Sequence, residues 1–215
     1  MNWLEQVDNY CERTDLSFWA EPANAASNLS FLLFAWLAWR MLEGRKDRDS
    51  RGLTILLAVI GLGSFLFHTF ATLWAELADV LPITAFIVFY LYFGIRRFLE
   101  LPRWAGAIAV LGFFPYAIGF AWVINQGIGP LNGSVGYLPV VLLITAFSIV
   151  MIPRNRDTAA GLATGALLLT ISLFFRSIDM GVCPGFPIGT HFVWHLLNGA
   201  MLGLMIRVLH RHQTA

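Results

Sequence analysis

The chain alternates long apolar stretches with short polar breaks, and seven of the stretches are each long enough to cross a lipid bilayer. A spanning helix needs about 17 to 25 mostly apolar residues, because each residue rises about 1.5 Å through about 30 Å of hydrocarbon. The stretches run at about 26–43, 54–72, 78–95, 104–124, 136–152, 160–178 and 188–208. Gly, Pro and charge gather in the breaks GRKDRDSRG, RRFLELPR, NQGIGPLNGSVG, PRNRD and DMGVCPGFPIG, as turn chemistry requires. Of 215 residues, 58% are hydrophobic and 13% charged, against roughly half and a quarter in soluble domains. Lipid is therefore the solvent for most of the chain.

The expected fold is an all-α membrane protein, a seven-transmembrane helix bundle in a single domain over 1–215. It divides into an N-terminal segment at 1–25, the bundle at 26–208 and a short tail at 209–215, whose basic character (RVLHRH) assigns no chemistry to His210 or His212. MNWLEQVDNYCERTD lacks the basic and apolar regions of a cleaved signal peptide and is read as mature protein.

Short basic loops stay on the cytoplasmic side during insertion. Arg40, Arg45, Lys46, Arg48, Arg51, Arg96, Arg97, Arg103, Arg154, Arg156, Arg207 and Arg211 fall on one side of a seven-span arrangement, and Arg13 and Arg176 near the other. The N-terminus is thus expected outside and the C-terminus in the cytoplasm. Short loops and a basic interior suit a bacterial inner membrane with the opposite face toward the periplasm, or an endomembrane lumen. The outer compartment would hold Glu5, Asp8, Glu12, Asp15 and Glu21 and both cysteines, Cys11 and Cys183. Such a compartment permits a disulfide, which would close a loop of about 170 residues and stabilise by several kcal/mol; the alternative is two unpaired, buried thiols.

Ionisable side chains inside spans cost several kcal/mol and are candidate functional groups. Here they are His68, Asp79, Arg176, Asp179, His191 and His195. His68 lies near the outer end of the second span, and His191 and His195 in the first two turns of the seventh. The i, i+4 spacing of the latter pair stacks both rings on one helix face. Asp79 opens the third span at the same depth, and Ser64 sits one turn below His68. The pattern is Ser-x3-His-x10-Asp followed far downstream by His-x3-His. Three nitrogen ligands leave a fourth zinc position open for water, as in a catalytic site. Histidines that merely hydrogen-bond across helices are the plainer reading, less suited to three at one depth beside an aspartate. Arg176 and Asp179, three apart, are expected to form a helical ion pair, and Glu76 is read as an exposed carboxylate in the turn between the second and third spans. Trp3, Trp19, Trp74 and Trp104 are placed for interfacial belts.

With these residues in view, the chain resembles the alkaline ceramidases and their bacterial relatives, within the wider group of seven-helix membrane hydrolases that includes adiponectin receptors. The resemblance runs nearly end to end and rests on YCER (Tyr10 to Arg13), AEPANAASNLSF (Ala20 to Phe31), GLGSFLFHTF (Gly61 to Phe70), ELADVLPI around Asp79, and HFVWHLLNG (His191 to Gly199). It implies zinc on His68, His191 and His195, with Ser64 and Asp79 as catalytic residues, and a disulfide between Cys11 and Cys183. It also implies a calcium ion near the N-terminal segment, with Asp8, Tyr10 through its backbone carbonyl, Glu12, Asp15 and Glu21 as the matching ligands. DNYCERTD departs from the family spacing around Asp8 and carries Thr14 where a side-chain amide is expected.

The implied activity is zinc-dependent hydrolysis of the amide bond of ceramide or a related lipid, giving a sphingoid base and a fatty acid. Asp79 would move the water proton and Ser64 would donate to the oxyanion. A membrane lipid is the expected partner, and nucleic acid is not. The rivals are another lipid amidase or ester hydrolase, and a non-catalytic receptor-like scaffold in which zinc only pins helices; for a transporter, the cytoplasmic halves of the spans offer no charged path.

Overall fold

The computed structural model describes residues 2–214, so Met1 and Ala215, at the ends of the expected domain, lie outside the described residues. Within them the fold is helical without a strand: α1 (Pro22–Ser27), α2 (Leu29–Met41), α3 (Arg48–Phe70), α4 (Leu73–Arg97), α5 (Arg103–Ile128), a 3-10 turn (Leu131–Tyr137) leading into α6 (Leu138–Met151), α7 (Arg156–Val182) and α8 (His191–Thr214). Six of these helical units are long and apolar enough to cross a membrane, the 3-10 turn and α6 counting as one.

The first expected span is the exception. It is broken at Asn28, whose amide donates to the Asn24 carbonyl (2.9 Å) while its backbone N–H reaches Ala25. That leaves α2 with 13 residues, about 20 Å of rise against about 30 Å of hydrocarbon. The break swings α1 across the end of the bundle, against both α3 and α8.

The turn between α3 and α4 is also tighter than the sequence implies. α3 ends at Ala71, which adopts a left-handed conformation (φ 45°), and Thr72 is already extended ahead of Leu73. Glu76 therefore lies in the first turn of α4 rather than in a loop, and Asp79 sits well inside the helix rather than at its start. At Gly63 the two helices touch backbone to backbone: a Cβ there would lie 2.0 Å from the Ala78 carbonyl oxygen.

The core is built around α8, which packs on α2, α3, α4 and α7. Leu57 and Ile60 of α3, Leu162 and Leu169 of α7, and Met205 and Ile206 of α8 are all essentially inaccessible. By contrast α5 presents Leu111 (73% exposed) and Ile118 (69% exposed) outward, as a helix facing lipid does.

At the far end from the α3–α4 turn, Asp47 caps α3 by accepting from Ser50 N–H (3.1 Å). The same carboxylate accepts from Arg97 (2.9 Å) and pairs with His210 Nδ1 (2.9 Å). Burial alone would raise the Asp47 carboxyl, but Arg97, Ser50 and His210 outweigh it and hold it well below the ordinary carboxylate range. His212 meets the Thr158 hydroxyl (2.9 Å) and the Arg97 carbonyl (3.1 Å). The residues expected to form a loose tail instead continue α8, and two of them lock α3, α4 and α7 together.

Candidate metal centre

His68 closes α3, and His191 and His195 open α8, so the termini of two packed helices deliver all three rings to one point. One nitrogen from each lies within 4.8 Å of the others, and all three residues are 1% exposed. Among the described residues this is the group of His, Cys, Asp and Glu side chains placed to share an ion.

The surrounding hydrogen bonds fix which nitrogens remain free. His68 Nδ1 donates to Glu21 Oε2 at 2.6 Å, leaving Nε2 buried without a partner. Ser27 Oγ spends its proton on the Asn24 carbonyl (2.8 Å), so at 2.7 Å it accepts from His195 Nδ1 and leaves the lone pair on Nε2. His191 Nδ1 is buried and unpartnered, with its ring stacked on Tyr10 at 3.8 Å. A buried nitrogen with nothing to bond costs about 1–3 kcal/mol. Two such atoms converging with a third free lone pair fit a metal ion that prefers neutral imidazole.

Ser64 and Asp79 join this centre through the Gly63–Ala78 contact, which sets their backbones side by side. The Ser64 hydroxyl interacts with the Asp79 carboxylate and lies 3.5 Å from His195 Nε2, and Asp79 Oδ1 is buried without a hydrogen-bond partner. Both residues line a cavity enclosed by α3, α4, α6, α7 and α8. Away from Ser64, Asp79, His195 and Asn198 the cavity is almost wholly apolar, walled by Ile60, Phe86, Ile144 and Leu169 among others.

The N-terminal segment covers the centre. It pairs with the α3–α4 turn (Val7 N–H to Ala71 O, 2.8 Å) and then places Tyr10 over His191. Cys11 is disulfide-bonded to Cys183, with Cα atoms 5.5 Å apart. Asp179, buried beneath, accepts from the backbone N–H groups of Cys11 (3.0 Å), Thr190 (2.6 Å) and His191 (2.9 Å). Gly189, at φ 67°, is required there because a Cβ would fall 2.3 Å from Asp179 Oδ1.

This overturns the expected Arg176–Asp179 ion pair. Asp179 caps α8 and anchors the N-terminal segment, a role sequence spacing did not show. Arg176 instead lies among the rings of Tyr10, Tyr137 and Trp194, each within 5.7 Å of its guanidinium carbon, close enough to Asp79 for their charges to attract.

The acidic set expected to hold calcium is not brought together. Asp8 is exposed. Asp15 accepts from its neighbour Ser17 (2.7 Å), whose hydroxyl and N–H hold its carboxyl below the ordinary range. Glu12 caps α1, one oxygen taking Ala23 N–H (2.7 Å) and the other Asn24 N–H (2.8 Å); burial pushes its carboxyl up against those bonds. Glu21 is occupied by Arg13 (2.6 Å) on one oxygen and by His68 and Asn24 on the other. Burial opposes its charge, but His68, Asn24 and Arg13 win and lower its pKa.

A comparison with models of protein families finds a match over residues 2–214 to the family described as Ceramidase. A comparison with curated proteins finds no match.

Proposed function

The chain belongs to the ceramidase family, and we propose on that footing that it is a zinc-dependent intramembrane hydrolase, cleaving the amide bond of ceramide or a close lipid relative to a sphingoid base and a fatty acid. The observation that carries this reading is the set of three buried, converging histidines, one of which, His195, lines an otherwise apolar cavity together with Ser64 and Asp79. A zinc ion held by His68, His191 and His195 would supply a Lewis acid for the carbonyl and lower the pKa of water toward about 7.

The chain's own residues take the remaining roles. Asp79, with one oxygen free of hydrogen bonds, accepts a proton as the water oxygen bonds to the carbonyl carbon. It returns that proton to the nitrogen as the C–N bond breaks. Both water protons end on the leaving amine, and the products are a carboxylate and an ammonium. Ser64 donates a hydrogen bond from its hydroxyl to the developing oxyanion. The apolar wall of Ile60, Phe86, Ile144 and Leu169 takes the hydrocarbon chain, so a lipid's tail never has to enter water. Tyr10 and the disulfide close the polar end over this site.

The same reading takes α1 and α2 together as the first of seven crossings and the metal-centre end as the non-cytoplasmic side. All twelve basic residues counted toward the cytoplasm lie at the opposite ends of the helices or in the turns that join them there, and the bacterial inner membrane is the membrane it fits.

The test is release of free fatty acid from fluorescent ceramides by the purified protein in detergent, with zinc content measured on the same samples. Wild type should turn over, His195→Ala should lose both zinc and turnover, and Asp79→Ala should lose turnover while keeping zinc. Bound zinc without cleavage of any ceramide would refute the assignment; cleavage of acyl esters in preference to amides would move the substrate class.

A further inference from the structure

Where the family resemblance implies a calcium ion, this chain has a guanidinium. Arg13 is 6% exposed, and its three kinds of nitrogen each meet an oxygen: Nε to Glu21 Oε1 (2.6 Å), Nη1 to the Asp15 carbonyl (3.1 Å) and Nη2 to the His68 carbonyl (3.2 Å). It thereby ties the N-terminal segment to the residue before α1 and to the end of α3. Calcium needs about six to eight oxygen ligands at about 2.3–2.6 Å. Here all four carboxylate oxygens of Glu12 and Glu21 already accept from N–H groups, Asp15 turns to Ser17, and Asp8 lies exposed. The residues do not fit the ion.

We propose that Arg13 is a built-in replacement for calcium and a positioning residue for the metal centre: its guanidinium holds Glu21 in place, Glu21 holds His68 by Nδ1, and the protein needs no calcium. The chain of contacts is direct, from Arg13 Nε to Glu21 Oε1 and from Glu21 Oε2 to His68 Nδ1 at 2.6 Å each. A carboxylate behind a ligating histidine fixes its tautomer and ring orientation, and loss of such a partner costs roughly 10- to 100-fold in metal affinity. Arginine suits the task because it stays charged and its donors are set in a rigid fork. Lysine, whose three donors radiate from one nitrogen, would not span the two carbonyls and the carboxylate together.

The inference rests on the histidines binding a metal, as proposed above, but its readouts do not depend on which lipid is cleaved. The full chain in detergent is stripped of calcium and the chelator is removed; it is then titrated with zinc, and its thermal unfolding followed, without added calcium and with millimolar calcium. For the wild type, zinc affinity and unfolding midpoint are expected to be the same in both conditions. Arg13→Ala should weaken zinc binding by about tenfold or more, and Arg13→Lys should recover only part of the loss. Loss of any buried ion pair would lower thermal stability, whereas zinc affinity falls only if Glu21 is holding His68. A calcium-dependent rise in wild-type midpoint would overturn the replacement, a measurement that stands even if Arg13→Ala does not fold. Unchanged zinc affinity in folded Arg13→Ala or Arg13→Lys would overturn the positioning role.

Discussion

Adding a single methyl group at Gly63 should damage turnover far more than it damages the metal centre. A Cβ there would sit 2.0 Å from the Ala78 carbonyl oxygen and 2.7 Å from its carbon, whereas real Cβ atoms essentially never approach closer than 3.0 Å. Relief therefore requires about 1 Å of separation between α3 and α4, at the level where Ser64 and Asp79 follow the two contacting residues. The backbone cannot rotate away as a side chain can. α3 is held among α1, α2, α4 and α8, while α4 is mostly outward-facing, so α4 gives and carries Asp79 with it. Misplacing a catalytic group by about 1 Å costs on the order of 100-fold in rate, and overpacking costs about 1–3 kcal/mol of stability. The histidines on α3 and α8 keep their spacing. Gly63→Ala should thus bind zinc stoichiometrically, unfold at a slightly lower temperature and release fatty acid roughly 100-fold more slowly. Gly52→Ala, on the same helix with nothing within 4 Å of its new methyl, is the control and should leave turnover intact. Wild-type turnover in Gly63→Ala would refute the idea that this contact sets the Ser64–Asp79 geometry.

At the opposite end, the depressed pKa of Asp47 means that the folded protein holds this carboxylate charged where the unfolded chain would begin to protonate it. Its stabilisation is complete above the unfolded value of about 3.9 and drains away as pH falls below it. Thermal unfolding between pH 6 and pH 3 should therefore be flatter in Asp47→Asn than in wild type. At neutral pH the variant should already be less stable by on the order of 2 kcal/mol, Arg97 retaining Asp49 as a partner; parallel pH curves would count against the network. Near the centre, Asp179→Ala would strip the acceptor from three backbone N–H groups, at about 1–3 kcal/mol each. A zinc titration should then show weaker binding because His191 loses its anchor, with Asp179→Asn, which keeps one acceptor oxygen, in between; equal affinities in all three would show that Asp179 acts on stability alone.

Much of the site was readable because a bilayer leaves few reasons for a histidine or aspartate to sit in an apolar run. His68, His191, His195, Ser64 and Asp79 stood out against their surroundings, and helical spacing was enough to bring them to one level. The disulfide followed from two cysteines expected in one compartment. What escaped reading is what depends on partners far away in sequence. Asp179 stands three residues from Arg176, a spacing that favours a local pair, yet its carboxylate meets the N–H of Cys11, 168 residues away. Arg13 looked like the exception in an acidic segment and proved to be the group around which that segment is ordered. The break at Asn28 was hidden because the apolar run continues through it, while His210 and His212 looked like a basic tail because their partners, Asp47 and Thr158, lie on other helices.

The N-terminal segment is better understood as half of the candidate metal centre than as an acidic arm. Each histidine is oriented by something that precedes α2: His68 by Glu21, His195 by Ser27, and His191 by the Tyr10 ring stacked against it. Only because α1 breaks from α2 can Glu21 and Ser27, at its two ends, face α3 and α8 at once. Ordering some twenty residues costs on the order of 1–2 kcal/mol per residue in backbone entropy, and the packing of Val7 and Tyr10 beside Phe67 and of Phe18 on Phe65 and Phe70 offsets part of it. Covalent and charged ties add to that packing: the disulfide to the α7–α8 loop, Asp179 on the Cys11 N–H, and the Arg13–Glu21 pair. The three ties reach α7, its following loop and the start of α1, so the segment is fixed at points around the centre. A ligand set held by such fixed partners can bind a metal without first paying to organise itself, which is the condition a hydrolytic centre under a closed cover has to meet.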